Sequence, residues 1–134
     1  MSWNYSITIR IDAPYTEGVI QDILEKAPKL DIICYKHMDE EGIPLNAKDA
    51  AHSVFQAAND SEIHCVDAKV QGIYVALHFI ENYGQVTVMF SGISYERIKK
   101  FKYDHEDIDI AFYAKTLLDL TQDFRILEMH INKD

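Results

Sequence analysis

The chain has 134 residues, 48% of them hydrophobic and 26% charged, with five Gly and three Pro. That composition excludes a disordered or collagen-like chain, and the length fits one domain that buries roughly two-thirds of its unfolded surface. Thirteen Lys and Arg face twenty-two Asp and Glu, a net charge of −9 that repels phosphate and argues against nucleic acid as a partner.

Residues 1–134 therefore read as a single globular domain. Trp3, Tyr5, Ile7, Ile9 and Ile11 alternate with Asn4, Ser6, Thr8 and Arg10. This period of two predicts a strand with one buried face. Thr16 is placed to cap a helix in which Val19, Ile20, Ile23, Leu24 and Ala27 share a face, and Pro28 is expected to stop it. Ile32 to Tyr35 reads as a second strand. Asn46 is the expected cap of a second helix, with Ala47, Ala50, Ala51, Val54, Phe55 and Ala58 in one stripe.

Residues 62–93 carry the strongest strand signal. Ile73, Val75, Leu77 and Phe79 fall on one face, and Tyr74, Ala76, His78 and Ile80 on the other. Both faces are largely apolar, which predicts a central strand covered on both sides. Glu81 to Gln85 is a turn with Gly84 at positive φ, and Val86, Val88 and Phe90 return antiparallel. Residues 62–68 read either as a separate strand or as the start of a long one. A short helix is expected over Tyr95 to Phe101. A longer one spans about 105–121, capped by Asp104 or Asp107, its buried stripe being Ile110, Ala111, Ala114, Leu117 and Leu118. Phe124 to Ile131 closes the chain as a strand. The pattern predicts an α+β fold, or α/β sandwich. Its sheet is mixed but mainly antiparallel, with about three to four helices packed on it.

The residues that announce chemistry are sparse. His64, Cys65 and Asp67 lie close together, as do His105, Glu106 and Asp107, but neither set has the paired short spacing of a zinc site. No phosphate-binding glycine loop and no nucleophile elbow occurs. Cys34 and Cys65 each sit in an apolar run and read as reduced, buried thiols. Met1-Ser2-Trp3-Asn4-Tyr5 has neither a basic nor an apolar leader region, which predicts a cytoplasmic protein, and no run is long enough to span a membrane. No cofactor, metal or catalytic residue is expected, and the protein reads as a non-enzyme.

Charge is unevenly spread: net −6 over residues 39–67, +3 over 68–103 and −5 over 104–134. The one basic cluster, Arg97 to Lys102, is followed at once by acid that would neutralise it. Asp39, Glu40 and Glu41 form one acidic cluster. Asp104, Glu106, Asp107 and Asp109 form the other, at an expected helix start where fewer acids would satisfy the helix dipole. Tyr83 and Tyr103 accompany them. Acid interspersed with Tyr suits a cationic protein partner: charge speeds encounter and Tyr supplies desolvated area.

A small acidic α+β chain opening on a strand and ending in a helix followed by Asp119-Leu-Thr-Gln-Asp-Phe-Arg-Ile-Leu-Glu128 resembles immunity proteins of bacterial contact-dependent inhibition and polymorphic-toxin systems. The resemblance implies a cognate basic toxin domain, such as a nuclease, blocked at its active site by an acidic face. The alternative is an enzyme or small-ligand domain with a pocket over the sheet, built from Tyr74, His78, Glu128 and His130. An edge at the first strand would also allow edge-to-edge homodimers.

Overall fold

A computed structural model describes residues 4–35, 44–59, 65–70, 73–94 and 110–133. Seven strands form one sheet: β1 (Asn4–Pro14), β2 (Ile32–Tyr35), β3 (Pro44–Leu45), β4 (Cys65–Val70), β5 (Ile73–Asn82), β6 (Gln85–Ser94) and β7 (Ile126–Lys133). Their order is β3-β2-β4-β5-β6-β1-β7, and every described pairing is antiparallel. The helices are α1 (Glu17–Leu24), α2 (Ala47–Asn59) and α3 (Ile110–Leu120), with a 3-10 turn at Ala27–Leu30. The architecture is α+β, as the alternation of patterns predicts.

Period-two burial makes the core. Ile7, Ile9 and Ile11 of β1, Val86, Val88 and Phe90 of β6, and Val75, Leu77 and Phe79 of β5 point to one face. Ile20, Ile23 and Leu24 of α1, Ala50, Ala51 and Val54 of α2, and Tyr113, Leu117 and Leu120 of α3 join the same cluster. Each buried Val, Leu, Ile or Phe side chain contributes roughly 1.5–3 kcal/mol by leaving water. The helices thus cover one face. On the other, Ala76, His78 and Ile80 are half-buried beside their neighbours, with no described helix over them. Among the described residues the helical cover of β5 is thus on one face.

Thr16 caps α1, accepting from the Val19 N–H at 3.2 Å, and Asn46 caps α2, accepting from Asp49 at 2.8 Å. α1 ends at Leu24, before Pro28, which instead sits near the start of the 3-10 turn where its missing N–H costs nothing. Asp31, in the left-handed region at φ 57°, closes that turn. Residues 65–70 are a separate strand, and β3 is an element the sequence reading did not include. Helix 105–121 is described only from Ile110. Its buried stripe runs through Tyr113, Thr116, Leu117 and Leu120, whereas Ala111 is exposed. Ile110, Ala114 and Leu118 pack against the same core, so the predicted stripe holds except at Ala111 and is widened by Tyr113 and Leu120. β7 begins at Ile126. Phe124 lies in the preceding turn, its N–H donating to the Thr121 carbonyl. β1 is interior, flanked by β6 and β7, so the expected edge is not at β1; among the described residues the sheet ends at β7.

Candidate functional site

The β5–β6 turn is two residues long, with Asn82 opposite Gln85. Tyr83 (φ 52°) and Gly84 (φ 79°) both have positive φ, the pattern of a type I′ hairpin turn that matches sheet twist. Asn, Asp and Gly fill its first position at little cost; a bulky side chain there is strained. Tyr83 is nevertheless there, and it is 97% exposed. It contributes no core contact to offset its backbone. Glu81 is exposed just before it, and Asp12 is exposed at the same end of the sheet, accepting from Gln85 Nε2 at 3.3 Å. Tyr15 follows β1 here. Its backbone N–H donates to the Gly84 carbonyl at 2.9 Å. Burial, and then the Glu81 charge, raise the Tyr15 hydroxyl pKa.

On the helix-free face, strand register sets two rows. His130, Thr8, Met89 and His78 lie across β7, β1, β6 and β5; Glu128, Arg10, Thr87 and Ile80 form the next row. Glu128 Oε2 accepts from Arg10 Nε and Nη2, both at 3.2 Å, while Oε1 meets His130 Nε2 at 2.5 Å. Arg10 Nη1 donates to Gln85 Oε1 at 2.8 Å. The hydrogen bonds from His130 and Arg10 hold the Glu128 carboxyl below its ordinary pKa. An ionised, doubly occupied carboxylate is a poor general acid, and this chain of contacts ties β7, β1 and β6 together. The expected Glu128/His130 pair is real. His78 sits three strands from His130 on the same face, about 14 Å away by ordinary strand spacing. Tyr74 of β5 is registered opposite Lys69 of β4.

His78 has a different partner. Its Nε2 lies 2.8 Å from Ser91 Oγ. A bulge between Tyr5 and Ile7 of β1, with Gly92 at φ 74°, re-aims β6 at this point. Ser91 is thus inside β6 and not in the turn that its Ser-Gly dipeptide suggests. The pair was discoverable: the turn fixes Asn82 opposite Gln85, and counting back sets His78 and Ser91 a diagonal step apart on one face.

A cavity of about 480 Å³ opens beneath the helix layer, between the 3-10 turn and β2–β3, lined chiefly by Leu24, Ala27, Ile32, Cys34, Leu45 and Ala47. None of His78, Glu128 or His130 lines it. Burial pushes the Cys34 thiol up to about 12, so it stays protonated and inert there, as its apolar setting predicts. Among the described residues no group of three or more His, Cys, Asp or Glu could hold a metal ion, and no helix is long and apolar enough to cross a membrane.

Of the residues assigned to partner binding, Tyr83 alone is described. Asp39, Glu40 and Glu41 lie outside the described residues, as do Tyr103, Asp104, Glu106, Asp107 and Asp109; so do the basic cluster at 97–102 and the helix expected over 95–101. Compared with known families, curated proteins and solved structures, the chain matches no family, no curated relative and no solved fold.

Proposed function

We propose that the protein is a cytoplasmic binding module of the immunity type, which neutralises a cognate cationic toxin domain by covering its active site with an acidic, tyrosine-bearing surface. One observation carries the reading: Tyr83 occupies a strained, positive-φ hairpin tip while almost wholly exposed. Strain held at an exposed aromatic is a cost to folding, and such costs persist where function uses the side chain. Tyr is also the residue type most suited to anchoring an interface. The net charge of −9 supplies long-range attraction for a basic partner. Asp12 and Glu81 put acid beside the tip. The clusters at Asp39–Glu41 and Asp104–Asp109 extend the acidic surface in this proposal. No chemistry is required of the protein. A homodimer joined at a sheet edge is compatible with the role, since the hairpin tip is two strands from β7.

Capture from lysate of the source organism, eluted in salt steps, tests the reading. The expected result is one stoichiometric basic protein that arrests growth when expressed alone and not when co-expressed with this chain. Tyr83→Ala should weaken the complex roughly 30-fold, the scale of an interface anchor. Unchanged affinity both in Tyr83→Ala and in a variant with Asp104, Glu106, Asp107 and Asp109 reversed to Lys would sink the proposed face.

A further inference from the structure

β7 ends the sheet among the described residues, with β1 on its inner side and no described strand on its outer side. It is eight residues long, whereas the opposite edge, β3, has two and includes Pro44. Short, proline-bearing edges resist pairing; long ones invite it. Side chains along β7 are exposed: Ile126 at 37%, Ile131 at 50%, and Glu128 and His130 to similar degrees. Interior strands on the same face are half-buried. An exposed isoleucine at the end of an otherwise covered apolar row asks for a neighbour. That row is Leu127, Met129 and Ile131, on the side where Met129 lies opposite Ile9 and Ile131 opposite Ile7.

We infer that β7 pairs antiparallel with β7 of a second copy of this chain about a twofold axis at Met129, joining two seven-stranded sheets into one. The inference is independent of the toxin reading. Charge selects both occupant and register. A twofold axis perpendicular to the sheet keeps each face on its own side, so allowed registers differ by two-residue steps. With the axis at Met129, Glu128 lies opposite the partner's His130, and His130 opposite the partner's Glu128. The Arg10–Glu128 contact at 3.2 Å then continues across the interface to the ring of the second copy's His130. On the other face Leu127 meets the partner's Ile131, and Met129 meets its own copy. Moving the axis to residue 128 sets two carboxylates against each other, and moving it to residue 130 sets imidazole against imidazole. Like charges directly opposite destabilise a strand pair and opposite charges stabilise it. A strand from an unrelated protein has no built-in reason to present this complement; a second copy has it by symmetry.

Sedimentation velocity on the full chain alone, from micromolar to near-millimolar concentration, tests this. The expected result is a reversible monomer–dimer equilibrium. His130→Glu, which puts carboxylates opposite each other twice, should weaken it by about tenfold or more, and Ile131→Lys should do the same. The paired swap Glu128→His with His130→Glu should restore association. Oxidation of a Met129→Cys variant should give a covalent dimer bridging the two copies at that position, since residues that face each other across the axis fall within disulfide reach. A monomer at every concentration overturns the inference. So does a dimer indifferent to His130→Glu and Ile131→Lys, or a cross-link pattern fitting another register. Capture of a foreign strand at β7 while the chain alone stays monomeric overturns the choice of a second copy.

Discussion

Both oxygens of Glu128 are occupied, one by the Arg10 fork and one by the His130 ring. The two groups, placed on one face from their spacing, thus meet each other and Arg10 in one network. The contacts hold the carboxyl below its ordinary value of 4.5. A carboxyl depressed in the fold contributes stability above its unfolded pKa and loses it as pH falls through the folded one. Glu128→Gln should therefore lower the melting temperature slightly at neutral pH. The gap from the parent should close as pH falls through the depressed carboxyl pKa of the folded state, and it should shrink in high salt because the pair is solvent-screened. Melts across a pH series check this. A gap unchanged into strong acid would mean that the side chain acts through packing and not through charge.

The β5–β6 hairpin shows where element-level reading succeeds and where it stops. Alternation on either side of Gly84 is enough to read two strands, a turn and the pairing between them. The identity of the residue before Gly84 then raises a conflict that the turn chemistry cannot resolve. Tyr83→Asn should relieve it, stabilising the protein by about 0.5–1 kcal/mol because Asn adopts positive φ readily. Thermal or urea unfolding measures the gain, and no gain would mean that the tyrosine backbone is unstrained. The same substitution should cost partner affinity, which is the trade expected where a site is held against stability. Elsewhere, Thr16 and Asn46 are legible because a cap is a local device of one side chain and one N–H. Pro44–Leu45 is not, because two residues carry no period and pair with β2 only through a distant contact. Tyr113 joins the buried stripe of α3 through its ring, which packs in the core with Phe112 beside it, their ring centroids 5.0 Å apart, a contact that the helical period alone does not reveal. The bulge at Gly92 follows from the pairing with β1, a partner some eighty residues away, and no local pattern announces it.

At the scale of the whole molecule, one net charge has two consequences of opposite sign. A surplus of nine negative charges repels itself in the compact state and attracts a cationic partner at a distance. Salt screens both, with a Debye length of about 10 Å at 0.1 M. Raising ionic strength should therefore raise the melting temperature of the isolated protein at neutral pH while slowing its association with a basic partner. Dissociation of the formed complex should change much less, because contacts around a buried tyrosine are desolvated and only weakly screened. Melting curves from low to moderate salt, together with association and dissociation rates over the same range, separate these effects. Stability that falls with salt would place the dominant electrostatics in favourable pairs such as Lys26–Asp123 at 2.7 Å and Arg10–Glu128, not in repulsion. An association rate indifferent to salt would remove charge from recognition and leave Tyr83 to act through shape alone.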